Sequence, residues 1–331
     1  MTLKGEAVMK FAFVSCNHPV KHPSQPGWLD LAERKPEVLL LIGDNTYVED
    51  HMWQLWFGRP ALTKDDESYA IYLHERYVKQ WAVPEFRQCL AEHRARQGDV
   101  LGTIDDHDFL GNDLAVTPEL AMKAKIARAL FRQFIEQCNG CIQERYPGLP
   151  DWRSDPDPGM NSGLGLATSR RYGDVLVALL DNRSFREDPG QNTRALGERQ
   201  IKWLQSQLNS DQRVSLVFSG SPLTRGSKWL VAGSTLSQYP TEFRELRSLY
   251  HSYASRNIVH IGGDLHYNDY KGRDEHVDFV EVCSSGMGTG YLPFSSHQYG
   301  NFGIIEVSPQ ELRIQTYGAD PHRNYDHRHP I

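Results

Sequence analysis

The chain has 331 residues, 39% apolar and 24% charged, an ordinary globular composition that at this length buries about three quarters of its unfolded surface without staples. The 36 Lys plus Arg against 42 Asp plus Glu leave a net charge of −6, which argues against long nucleic acid or an anionic membrane as the main partner. No run reaches the ~18 apolar residues of a membrane span, and the opening MTLKGEAVMKFAFVSC, split by Lys4 and Lys10, lacks the apolar stretch of a secretory signal.

Strands and helices alternate in chain order. Apolar runs predict strands at 10–14 and 38–42, helical spacing follows at 68–81 and 84–96, and a third strand is expected at 100–104. A helix over 118–138 is expected next, with Thr117 as its cap and Pro118 in the first helical position. Strands at 174–180, 214–218 and 257–261 are interleaved with helices at 196–208 and 241–253; strands at 277–282, 302–307 and 312–316 close the series. Several runs are apolar at every position, the pattern of an α/β sheet covered on both faces. The segment 143–169, rich in Pro, Gly, Asp and Trp without a period, reads as a surface excursion and candidate substrate lid. The His-rich tail, 318–331, reads as a frayed terminus, with a stray metal site as the alternative. One domain over 1–331 is expected. The odd number of cysteines, five, in a chain that needs no staples points to reduced thiols and a cytoplasmic location.

The chemistry stands directly after the strands. Cys16, Asp44, Asp106 with His107, and Asp264 with His266 each follow a short apolar run. In an open α/β sheet, strand ends are where side chains converge in one crevice. Each residue alone has a bland reading: an Asp after a strand is often a turn or cap, and a buried Cys is usually a small hydrophobe. Carboxylates gathered in a partly buried site repel one another and lose hydration, and a multivalent cation is the simplest compensation. The cluster therefore predicts metal.

Six blocks carry a resemblance: FVSC (13–16), LIGDNTYVED (41–50), DDHDFLGND (105–113), SRRYGDVLVALLDNRSFR (169–186), LGERQIKWLQSQL (196–208) and HIGGDLHYN (260–268). Together and in this order they resemble the alkaline phosphatase D-like branch of the calcineurin-like metallophosphoesterases. The resemblance implies a four-layer α/β/β/α sandwich of two mixed sheets flanked by helices, with two metals at the strand ends. It implies Cys16, Asp44, Tyr47 and His266 as ligands of the first metal. Asp44 would bridge to a second metal held by Asp106 and Asp264, with His107 as the catalytic histidine. Asn45 departs from the pattern, which commonly has an aromatic there.

A thiolate and a phenolate suit iron(III), because Cys near pKa ~8.5 and Tyr near ~10 need a strong cation to ionise at neutral pH. The carboxylate-rich second site suits Ca²⁺, Mg²⁺ or Mn²⁺, with zinc as a further option. The expected reaction is hydrolysis of phosphate mono- or diesters of a small phosphorylated substrate by a metal-bridging hydroxide. His107 would donate a proton to the leaving oxygen or stabilise the transition state. Arg183 and Arg186 are candidate phosphate clamps, or else salt-bridge partners of Asp181 or Glu187. Asn112, a candidate substrate contact, and Asp113 are placed further out.

Other signals carry less. A covalent cysteine phosphatase needs an Arg six residues after its Cys, and position 22 is His. Cys138 and Cys141 have redox or zinc spacing, but no second pair accompanies them and they stand at an expected helix end with Asn-Gly as the stop. The glycines at 286, 288 and 290 have no helix after them and read as a loop near the site. Trp53, Trp56, Phe57, Tyr146 and Trp152 read as core, or as an aromatic wall for a base or sugar. The competing functions are a non-catalytic metal-binding scaffold with the same fold and a nucleotide phosphodiesterase.

Overall fold

The computed structural model describes residues 8–49, 60–140, 145–224, 235–273, 279–289 and 299–331. Trp53, Trp56, Phe57, Cys141 and Gly290 lie outside the described residues, as do positions 143 and 144 of the expected excursion. In chain order the elements are β1 (Met9–Val14), α1 (Gly27–Glu33), β2 (Val38–Ile42), α2 (Asp66–Trp81), α3 (Pro84–Ala95), β3 (Asp99–Thr103) and α4 (Ala121–Asn139). Then come α5 (Pro158–Ser162), β4 (Thr168–Tyr172), β5 (Val175–Leu179), α6 (Glu198–Leu208), β6 (Val214–Ser219), α7 (Pro240–Ser252) and β7 (Ile258–Gly262). The chain ends through β8 (Asp269–Lys271), β9 (Val280–Cys283), β10 (Phe302–Val307), β11 (Glu311–Tyr317) and β12 (Asp326–Pro330).

Two six-stranded mixed sheets result, in the orders β12-β11-β10-β1-β2-β3 and β4-β5-β6-β7-β9-β8. Strand periodicity sorts the side chains into layers. Phe11, Phe13, Val38, Leu40 and Ile42 meet Val177, Leu179, Leu216, Phe218 and Ile261 between the sheets. The alternate residues Ala12, Val14, Leu39 and Leu41 pack outward with Trp28, Leu73, Tyr77 and Leu130 of α1, α2 and α4. On the other flank, Leu176, Ala178 and Val217 lie under Leu204, Leu208 and Leu246 of α6 and α7. The layering is α/β/β/α. Each large apolar side chain so buried contributes about 1.5–3 kcal/mol.

Three details differ from expectation. Helix 118–138 is split: Pro118–Leu120 forms a 3₁₀ turn without a side-chain cap from Thr117, and α4 begins at Ala121. The described excursion, 145–169, holds α5 and the start of β4, and is strapped to α4 by Arg128–Asp157 (2.5 Å) and Arg132–Asp155 (2.6 Å). Tyr146 and Trp152 from it are buried in the outer helical core, the first of the two readings given for them. The tail is not frayed: β12 pairs antiparallel with β11, and Tyr270 of β8 stacks on His327 at 3.7 Å while its hydroxyl meets His329 Nε2 at 2.8 Å. One edge strand of each sheet, β12 and β8, is thereby joined to the other. Among the described residues, no helix is long and apolar enough to cross a membrane.

One buried group makes stability sensitive to acid. His260 on β7 is held between Ser219 Oγ (3.0 Å) and the Tyr250 hydroxyl (2.9 Å), and burial pushes its imidazole down to about 3. Neutral His260 stabilises the fold fully above the unfolded value near ~6.5, and that contribution is lost as pH falls toward the folded one. Relative to His260→Gln, wild type should therefore lose about 1.4 kcal/mol per pH unit between pH ~6 and ~4 in urea unfolding. Parallel stability curves for the two proteins would contradict this.

Candidate metal centre

The carboxyl ends of parallel strands from both sheets meet at one rim. Cys16 follows β1, Asp44 β2, Asp105 to His107 β3, Asn182 to Arg186 β5, Ser221 β6, Asp264 and His266 β7, and Ser285 β9. Sharp corners turn the chain into the site: Cys16, Asp44, Asp264 and His266 have φ of +62°, +50°, +69° and +57°. Left-handed backbone at non-glycine residues costs about 1–2 kcal/mol each and persists where the surroundings over-determine it. Gly43 (φ +92°) is needed because a Cβ there would stand 2.6 Å from that of Asp105.

Asp44 is the hub. Its Oδ2 lies 3.3 Å from Cys16 Sγ and accepts from the Tyr47 hydroxyl at 3.2 Å; its Oδ1 accepts the His107 N–H at 3.2 Å. The Tyr47 hydroxyl is also 3.1 Å from His266 Nε2. The main chain of 286–288 grips the first corner, Gly286 and Met287 N–H donating to Ser15 and Gly288 N–H to Cys16. Among the described residues three groups offer ligand atoms within 4.8 Å of one another: Cys16, Asp44, His266; Asp44, Asp106, His107; and Asp44, Asp105, Asp106, Asp264. All six residues expected as ligands, and His107, thus come together.

Burial pushes the Cys16 thiol up to about 12, and burial with the neighbouring Asp44 raises the Tyr47 phenol. Burial followed by neighbouring acids also lifts Asp44 and Asp264 well above the usual carboxylate range. Burial would raise Asp106 too, but Arg183 and His107 outweigh it and hold that carboxyl down. Oδ2 of Asp264 is buried without a hydrogen-bond donor among the described residues. Anionic donors kept protonated by burial, beside an orphaned carboxylate oxygen, fit cations at this position. They are hard to reconcile with a closed structural core.

His107 is set by groups the motif did not single out. Its Nδ1 is 2.7 Å from Glu49 Oε2, and the ring stacks on Tyr47 at 4.2 Å, with His18 on the other face of Tyr47 at 4.3 Å. Glu49 Oε1 accepts the Asn112 N–H at 3.0 Å. Gly111 (φ +102°) makes room, since a Cβ there would come 2.6 Å from that oxygen. Burial lowers the affinity of His107 for its proton, but Glu49, Asp106 and Asp44 outweigh it and raise the imidazole well above its ordinary value. Spacing offered one hint: Glu49 follows Asp44 by five residues, in the same loop.

The two arginines separate. Arg183 Nε pairs with Asp105, and its Nη2 lies 3.0 Å from Ser221 Oγ and 3.7 Å from Asp106 Oδ2. Its guanidinium thus meets acids from a distant strand end rather than Asp181 or Glu187. Arg186 lies over the Tyr239 ring at 5.3 Å, with Nη2 3.6 Å from Asp113 Oδ1. The Asp113 N–H donates to Asp106 Oδ2 at 2.8 Å. Asn45 ties the β2 corner to the β3 corner, its N–H and Nδ2 donating to Asp108 at 2.7 and 3.1 Å.

A double-sheet sandwich with carboxylates, a thiol and imidazoles gathered at its strand ends is the framework of a metal-dependent phosphoesterase. The family model for PhoD-like phosphatase matches residues 11–325, and the chain belongs to that family. Among solved structures it is similar to PhoD, with a TM-score of 0.68 over 98% of this chain and 72% of that one at 15% identity. Fainter likenesses reach a 5′-nucleotidase from Candida albicans (TM-score 0.42, 12% identity, 98% and 52% covered) and the protein TT1561 of Thermus thermophilus (0.40, 11%, 95% and 100%). No protein with a curated description matches the chain by sequence.

Proposed function

We propose that the chain hydrolyses phosphate mono- or diesters of small substrates at a pair of cations. The observation that carries the reading is the Asp44 carboxylate, shared between a cluster with Cys16 and His266 and a cluster with Asp106 and Asp264. Cys16, Asp44, Tyr47 and His266 would hold the first cation, for which the thiolate and phenolate favour iron; Asp44, Asp106 and Asp264 would hold Ca²⁺, Mg²⁺ or Mn²⁺, with zinc an alternative. Such cations supply Lewis acidity toward phosphoryl oxygens and activate water at neutral pH.

The side chains do the rest. The Glu49 carboxylate accepts from His107 Nδ1–H, which fixes the ring and leaves Nε2 as the atom that gives a proton to the leaving oxygen. Arg183 offsets the charge of Asp105 and Asp106 from below, keeping the acids together before any ligand arrives. The described cysteines, Cys16, Cys89, Cys138 and Cys283, are free and buried, which supports a reducing, cytoplasmic setting.

The test is elemental analysis of native protein paired with hydrolysis of 4-nitrophenyl phosphate and bis(4-nitrophenyl) phosphate. Two metals per chain, a visible charge-transfer band and turnover of at least one ester are expected. A metal-loaded protein that cleaves neither ester would overturn the proposal.

A further inference from the structure

Arg186 has donors that the fold leaves without a use. Its side chain is 1% exposed, and its Nε and Nη1 are buried with no hydrogen-bond partner among the described residues. The Asp113 carboxylate oxygen beside it stands 3.6 Å from Nη2, beyond hydrogen-bond reach, and that Oδ1 likewise has no donor among them. Leaving charged donors buried and unmatched is expensive, more so than any neutral group. A native protein that keeps such a group calls for a specific reason, and a missing ligand is the simplest.

The fork is held ready. The Tyr239 ring supports the guanidinium, the Tyr239 hydroxyl donates to Glu187 O at 2.7 Å, and Val116 N–H donates to Arg186 O at 3.1 Å. Asp113 connects this spot both to solvent, with its side chain 32% exposed, and to the metal centre through its N–H on Asp106 Oδ2. Its left-handed backbone (φ +56°) places the carboxylate in front of the guanidinium without closing a hydrogen bond. Nη2, itself beyond hydrogen-bond reach of Asp113, lies between the unmatched Nε and Nη1, and with either of them presents a planar donor edge that matches two oxygens of a phosphate group.

We propose that Arg186 forms an anion subsite beside the metal centre, covered by the Asp113 carboxylate, that receives a second phosphate group of the substrate. The substrate class is then a phosphate ester carrying a further phosphate, rather than an ester with a single phosphate group. This rests on the phosphoesterase reading for the identity of the first phosphate. Binding of the second is measurable without turnover.

The experiment titrates alkane bisphosphonates of increasing chain length, and methylphosphonate as the single-anion control, into the metal-loaded protein. At least one chain length should bind about tenfold more tightly than methylphosphonate, as expected for a charge-assisted bidentate contact. The advantage should vanish in Arg186→Gln and grow in Asp113→Asn. Arg186→Lys, which keeps the charge without the fork, should recover only part of it, and serves if Arg186→Gln does not fold by circular dichroism. No advantage at any chain length, or an advantage indifferent to residue 186, overturns the subsite. Arg186-dependent binding of inorganic phosphate without a bisphosphonate advantage overturns it too, in favour of a product site. If the Arg186-dependent advantage is present but no phosphate ester is hydrolysed, the subsite stands and the hydrolase reading falls; the reverse pattern sinks the subsite alone.

Discussion

Asp44→Asn should abolish ester hydrolysis, by more than about 10³-fold in kcat/KM, and cut bound metal to one per chain or none. Asp44 is the one carboxylate common to all three candidate ligand groups, so an amide in its place weakens both cations at once. The same change should make metal-free protein more stable, by about 1–2 kcal/mol. Without a cation, Asp44 is a fully buried acid with Cys16, Asp105 and Asp106 around it, and burial with those neighbours already drives its carboxyl toward the neutral form. The amide removes that conflict: its oxygen can still accept the His107 N–H, and its NH2 can donate to the Tyr47 oxygen and Cys16 Sγ. Chemical denaturation of chelator-treated proteins checks the sign. A less stable Asp44→Asn apoprotein, or an Asp44→Asn protein that keeps its full metal content, would remove Asp44 from the metal centre.

The second large effect belongs to His107. His107→Asn should lower kcat by about 10²–10⁴-fold, the range for a lost general acid, while both metals stay bound. Retention of metal matters because His107 also falls in one of the geometric ligand groups. Its Nδ1 is engaged by Glu49, and its Nε2 is 4.0 Å from Asp106 Oδ1, an arrangement suited to passing a proton. Glu49→Gln should cost about 10–100-fold with KM little changed, because it alters the ring's charge and orientation without removing the ring. The double variant should be no worse than His107→Asn alone, since Glu49 acts through His107. Metal lost from His107→Asn would make the ring a ligand instead, and additive losses would give Glu49 a separate task.

Much of the site could be read before folding because parallel strands write a simple code. A short run apolar at every position, stopped by Gly-Asp or Asp-Asp-His, marks both a covered strand and the crevice beyond its end. Asp44, Asp106 and Asp264 carry this signal, and Cys16 stands at the equivalent place after the first run. Glu49 was not, because it stands mid-loop and its oxygens reach His107 only after β2 and β3 lie side by side. Nor could spacing distinguish Arg183 from Arg186, three residues apart in one loop. One pairs through Nε with Asp105, from a strand of the opposite sheet, whereas Nε of the other has no partner among the described residues.

The edges of the sheets were similarly hidden. Thr168–Tyr172 and Asp326–Pro330 are polar, half-exposed strands whose only signature is the neighbour that accepts them, and Asp269–Lys271 is three residues long. Local sequence, then, determined which residues end strands and which chemistry those ends carry, because hydrophobic periodicity and residue type act over a few positions. Which ends face one another, which guanidinium is neutralised and which acid steadies His107 were decided only by the pairing of two sheets, since contacts between residues scores of positions apart depend on the whole packed core.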